Sequence, residues 1–132
     1  MKKNVATTVV LLLCLALQAL AYDFQSGSLL YSIISTDPPQ VSLDGHVDGT
    51  SAQGELVIPE TVNHDEITYS VTQIGHMAFL GCTGLTGQLN IPKTVNTIKA
   101  YAFFDCSGFT GDLVIPNSVT LMLGRAFQSC AG

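Results

Sequence analysis

Apolar positions recur every 24 residues through the C-terminal half of the chain. Val71, Val95 and Val119 share one column; Ala78, Ala102 and Ala126 share another. Phe79, Phe103 and Phe127 follow, then Cys82, Cys106 and Cys130, then Gly84, Gly108 and Gly132, with no gap in the register. A fixed period of this size predicts a solenoid, because each unit buries its apolar side only by stacking on its neighbours.

Within one unit the pattern predicts two extended pieces and a compact turn. Leu89-x-Ile91-Pro92 and Leu113-x-Ile115-Pro116 alternate with period two, as half-buried strands do, and proline ends each run because it cannot donate to a ladder. Val95-x-x-Ile98 and Val119-x-x-Met122 supply a second apolar pair. Ala102-Phe103-x-x-Cys106 suits a single helical turn, and Ser107-Gly108 and Thr110-Gly111 mark chain reversals.

A further copy lies upstream. Gly54-Glu55-Leu56-Val57-Ile58-Pro59 aligns with Gly87-Gln88-Leu89-Asn90-Ile91-Pro92, with nine extra residues before the regular units. Those extra residues read as a hairpin with a polar tip around His64-Asp65-Glu66, followed by alternating Ile67, Tyr69 and Val71. Residues 22–53 do not repeat. Their short apolar runs, with turn dipeptides at Asp44-Gly45 and Asp48-Gly49, predict a small β-rich N-terminal cap over the exposed end of the stack. The expected organisation is residues 1–21 as leader, 22–53 as cap and 54–132 as repeats. The repeats divide into an irregular unit 54–70, full units 71–94 and 95–118, and an incomplete unit 119–132.

The leader changes the compartment. Lys2 and Lys3 precede an apolar run from Val5 to Leu17, and Ala19-Leu20-Ala21 offers a small-x-small cleavage site before Tyr22. The run is shorter than the roughly 20 residues of a membrane span. The expectation is therefore an exported chain with no membrane insertion after cleavage, and Cys14 is discarded with the leader. Residues 22–132 carry Lys93, Lys99 and Arg125 against ten carboxylates, a net charge of −7. Such a chain repels nucleic acid. The three remaining cysteines occupy one repeat column, which predicts small buried side chains stacked on their copies. Parallel side-chain directions make poor disulfide geometry.

Catalytic and ligating constellations are not found in the sequence. His46, His64 and His76 lie at no metal-binding spacing, and no C-x-x-C occurs. Gly49-Thr50-Ser51-Ala52-Gln53-Gly54 has one residue too many for a nucleophile elbow. Asp44-Gly45-His46-Val47-Asp48-Gly49 lacks the third ligand and the distal glutamate of a calcium loop. Only Asp105 and Asp112 fall in the regular repeats, so no acid–base pair can be named. The expectation is a chain without catalytic residues, cofactor or metal. What remains is surface. Residues alternating with buried Leu and Ile point outward, giving one column of Glu55, Gln88 and Asp112 and another of Val57, Asn90 and Val114. These six form the candidate ligand face.

The string I-P-x-x-V-x-x-I-x-x-x-A-F-x-x-C-x-G-F-T-G-x-L-x-I-P, from Ile91 to Pro116, resembles the BspA-like leucine-rich repeats of bacterial surface antigens. The resemblance runs from Gly54 to Gly132. It implies a right-handed leucine-rich-repeat solenoid and a non-enzymatic role in adhesion or protein recognition at the cell surface, and it supplies no catalytic residues. The chain departs from the pattern where it ends, inside a repeat. The last unit also turns apolar at Leu121 and Leu123, and Met122, Ala126 and Phe127 are expected to be partly uncovered. Two readings stay open. A truncated piece of a longer array is favoured, because repeat stacks need closing caps. In the other, Leu121, Leu123 and Phe127 face a partner or a second copy of the chain.

Overall fold

A computed structural model describes residues 22–130; the expected leader and cleavage site lie outside the described residues. The described chain is built of strands and turns. Nine strands form: β1 (Phe24–Ser26), β2 (Leu29–Thr36), β3 (Pro39–His46), β4 (Gly54–Glu55), β5 (Thr61–His64), β6 (Ile67–Ile74), β7 (Leu85–Thr86), β8 (Thr97–Ile98) and β9 (Leu121–Met122). The one described helix is a 3-10 turn at Gly49–Ser51.

β1, β2 and β3 form an antiparallel meander joined by tight turns. β3 then pairs in parallel with β6, setting Val41 beside Val71 and Leu43 beside Ile74. On its other side β6 takes β5 antiparallel along its first half and β8 parallel at its end. β6 is thus the hinge between two architectures. Its first half completes a five-stranded sheet in the order β1-β2-β3-β6-β5, and its last two residues begin the ladder of the repeats, continued by β8 and β9. The five-stranded sheet curls until its two edge strands meet. Phe24 of β1 stacks on His64 of β5 with ring centroids 4.0 Å apart, and Tyr31 and Tyr69 pack beneath.

The hairpin inserted before the regular repeats is therefore an integral wall of this sheet. Its two-residue turn is Asp65-Glu66, both with positive φ (48° and 66°), the backbone of a primed hairpin turn. Two expected turn dipeptides behave otherwise. Asp44-Gly45 lies inside β3 beside a bulge, where a side chain on Gly45 would press against the Ala78 carbonyl. Asp48-Gly49 opens the 3-10 turn. The actual meander turns are Gly27-Ser28 and the cis Asp37-Pro38.

In the repeats, the parallel ladder runs through Gln73-Ile74, Thr97-Ile98 and Leu121-Met122. The sequence pattern had placed strands at Leu89-x-Ile91 and Leu113-x-Ile115. There only isolated parallel bridges form, Asn90 with Val114 and Gly87 with Phe109, besides the short β4–β7 pair. The single helical turn expected at Ala102–Cys106 is also absent. The left-handed backbone recurs at Met77, Tyr101 and Arg125, and again at Gly81, Asp105 and Ser129. Those residues turn alternate N–H groups out of the coil. Met77, Phe79 and Gly81 donate to the carbonyls of Ala100, Ala102 and Phe104, and Tyr101, Phe103 and Asp105 donate to those of Gly124, Ala126 and Gln128. A helix would have spent these donors internally on carbonyls four residues back; here they bind coil to coil.

Side-chain stacking follows the same axis. Phe79, Phe103 and Phe127 stack nearly parallel, each pair with centroids 5.3 Å apart. The cysteine column is three free thiols, as the parallel geometry requires. Each S–H donates to a main-chain carbonyl one coil back: Cys82 to Gly49 (3.4 Å), Cys106 to Phe79 (2.9 Å) and Cys130 to Phe103 (2.6 Å). The neighbouring Cys130 thiol and burial together hold Cys106 well above the usual thiol range, and burial raises Cys82. Both remain protonated donors.

Candidate functional site

The residues expected to form the ligand face lie at the surface. Glu55, Val57, Gln88, Asn90, Asp112 and Val114 are all exposed, Val57 at 67% and Val114 at 65%. Inter-coil contacts bring four of them together. Gln88 Nε2 donates to the Asp112 carbonyl at 2.8 Å, and Asn90 faces Val114 across a parallel bridge. The column is not uniform. Glu55 pairs with Thr86, so the upstream end of the face is staggered against the coil that carries Gln88. At the downstream end Leu113, expected to be buried beneath Asp112, is 43% exposed, whereas its equivalents Leu56 and Leu89 are buried.

The second candidate surface is the last described coil. Leu121 and Leu123 are exposed (48% and 40%), as is Met122, while Phe127 is half-buried against Phe103. Ala126 departs from expectation. It is buried at 4% exposure, because the turn that carries it is drawn onto Phe103 by the Phe103 N–H bond to its carbonyl. Leu89, Phe109, Leu113, Phe127 and Cys130 line a small hollow of about 50 Å³ at this end.

Sequence reasoning missed a concavity at the N-terminal end of the described chain. A cleft of about 490 Å³ lies between the β1–β2 turn (Ser26, Gly27, Ser28) and the chain from Glu55 to Asn63. Leu29, Tyr31, Leu56 and Val62 contribute apolar lining, and His46 lines it as well. Glu55 and Val57 belong to it as well as to the strand face. No local motif announces the cleft. It exists because β1 and β5, far apart in sequence, become the two edges of one curled sheet. Burial pushes the Tyr31 phenol up to about 12, so it stays neutral. His46 Nδ1 accepts the Asp48 N–H at 3.0 Å. Among the described residues no group of three or more His, Cys, Asp or Glu side chains could hold a metal ion.

Short parallel contacts, coil-to-coil hydrogen bonds and stacked apolar columns define a leucine-rich-repeat protein. The family model for the BspA type leucine rich repeat region, a region of six copies, matches residues 60–132, more than half of the chain. The chain belongs to that family. Among solved structures it is similar to a leucine-rich repeat protein from Bacteroides ovatus, with 30% identity and a TM-score of 0.69 over 83% of this chain. A leucine rich cell surface protein from Faecalibacterium prausnitzii shares the fold, with 23% identity and a TM-score of 0.64 over 81% of this chain. The chain spans only 27% and 28% of the lengths of these two proteins. A comparison with curated proteins returned no match.

Proposed function

We propose that this chain is an exported, non-enzymatic leucine-rich-repeat module that recognises proteins and serves adhesion at the bacterial cell surface. The observation that carries this reading is the exposed face on which Gln88, Asn90, Asp112 and Val114 are held in register by inter-coil contacts. A repeating backbone whose exposed side chains differ from coil to coil is suited to recognition. The description of the Faecalibacterium neighbour as a cell surface protein supports the location, as does the leader at residues 1–21. No helix of the described residues is long and apolar enough to cross a membrane. A protein ligand fits the acidic, mixed polar and apolar surface better than nucleic acid does. The test is binding of the purified protein to extracellular matrix proteins. Changing Gln88, Asn90 and Asp112 together to lysine should abolish it; binding that survives all three changes overturns the face as the ligand site.

A second reading is favoured by the coverage. A chain spanning about a quarter of its neighbours' length fits a structural segment of a longer surface protein. Activity, anchor or partner-binding residues would then lie elsewhere, and Leu121, Leu123 and Phe127 would be covered within the assembly. The intact mass of the protein exported by the native cell separates the two readings.

A further inference from the structure

The cleft beside Glu55 has two properties that bear on what it takes. The first is an unpartnered strand edge. β5 pairs only with β6, and its turn-closing pair is His64 with Ile67. In an antiparallel ladder the backbone groups of alternate residues face away from the partner. The N–H and C=O of Thr61 and Asn63 therefore face the cleft, which both residues line. At the other end of the edge, the Phe24–His64 stack pins β1 against β5 and leaves the cleft open towards Thr61.

The second property is charge. From Tyr22 to Pro92 the chain carries eight carboxylates and neither lysine nor arginine. Glu55 lines the cleft, Glu60 adjoins Thr61, and Asp48 lies 3.6 Å from His46. The three cations of residues 22–132, Lys93, Lys99 and Arg125, all fall in the later coils. A second copy of this chain would bring the same acidic edge and be repelled.

We infer that the cleft captures an extended, basic segment of a partner protein, which adds to the free edge of β5 as an extra strand. The inference rests on the recognition reading above and names the partner's chemistry. Main-chain hydrogen bonds to Thr61 and Asn63 supply the docking, as in other strand additions. Alternate side chains of the added strand point to opposite faces. One set rests on Leu29, Leu56 and Val62, and the other carries lysine or arginine towards Glu55. The cleft volume lies in the ordinary range of about 300–1,000 Å³ for ligand sites.

The test uses the full chain and synthetic eight-residue peptides that alternate valine with lysine or valine with glutamate. Calorimetry should show binding of the lysine peptide, weakening with salt, and at least about ten-fold weaker binding of the glutamate peptide. Glu55→Lys should weaken the lysine peptide about ten-fold, while Asp105→Lys, exposed on a later coil and outside the cleft lining, leaves it unchanged. Asn63→Pro removes an outward N–H and keeps the main-chain bonds of the β5–β6 ladder, losing the Thr68 Oγ1 bond to the Asn63 side chain, and should abolish binding. Amide exchange on the unmutated protein gives a readout independent of that variant's folding: Thr61 and Asn63 should become protected in the complex. No binding of the lysine peptide, or binding without protection of these two amides, overturns the inference. So does dimerisation of the chain through this edge. Binding that is lost with Asp112→Lys and kept with Glu55→Lys also overturns it, yet leaves the recognition reading standing, because the ligand then sits on the coil face.

Discussion

The two ends of the coil stack hold equivalent residues in opposite states. Ile74 and Ile98 are 0% exposed, whereas Met122 in the same column is 46% exposed. Leu89 is 5% exposed and Leu113 is 43% exposed. Phe79 and Phe103 are fully buried, and Phe127 is half-buried. At the first coil the meander supplies the missing neighbour. Leu43 accepts the Gly75 N–H at 2.8 Å, Gly49 accepts the Cys82 thiol, and β3 pairs along β6. At the last described coil Phe103 and the β8 ladder cover one side only. Burial here is a property of position in the stack, and residue type is only a precondition for it. Stability in such arrays is a sum of unit and interface terms, so the first coil gains from two interfaces and the last from one.

The largest test of this contrast is the phenylalanine stack. Phe103→Ala should cost about 3–5 kcal/mol in urea unfolding, the range for a fully buried aromatic. Phe127→Ala should cost about 1–2 kcal/mol, since part of its surface is already in water. Equal losses would break the comparison. A glycine pair comes next. A side chain on Gly108 would lie within 3 Å of the Leu85 and Thr83 carbonyls of the preceding coil, whereas one on Gly124 meets nothing within 4 Å. Gly108→Ala should therefore destabilise by about 2–3 kcal/mol, and Gly124→Ala should be neutral or slightly stabilising.

Tyr31 gives the covered end a pH signature. Its folded-state value of about 12 lies above the ordinary value of 10. The unfolded chain thus releases this proton first, and stability that is complete below pH 10 declines as pH rises towards 12. The loss should be about 2 kcal/mol, and Tyr31→Phe should flatten it in unfolding midpoints taken at pH 9 and pH 11.5. The smallest expected effect is at the open end. Leu121→Lys should change stability by about 0.5 kcal/mol or less, because this side chain is already half in water. A loss several times larger would show that Leu121 is covered by a partner in the sample, and sedimentation would then detect that partner.

Much of this molecule is legible in the residues alone. The 24-residue columns announce a solenoid because stacking makes every coil face the same neighbours, so one chemical choice repeats. The cysteine column reads as core for the same reason, and its thiols are free. The outward columns at Gln88, Asn90, Asp112 and Val114 follow from simple alternation. Where a segment's periodicity fits two backbones, the reading fails. Ala102-Phe103-x-x-Cys106 satisfies a helical turn, yet left-handed residues at Tyr101 and Asp105 redirect its N–H groups to the next coil. Tyr101 does not advertise that conformation, although Asp105 and its equivalent Gly81 are types that tolerate it. Leu89-x-Ile91 alternates like a strand, yet the ladder forms one step later, at Thr97-Ile98.

Sequence by itself determined the repeat, its period and the residues that stack, because those depend on local chemistry copied from unit to unit. Only the tertiary structure decided the rest: that β6 joins a curled sheet to the coil ladder, that β1 and β5 become facing edges, and that an acidic cleft opens between them. These are contacts between segments that share no repeat. They are set by long-range strand pairing, and long-range pairing leaves no periodic trace in the chain.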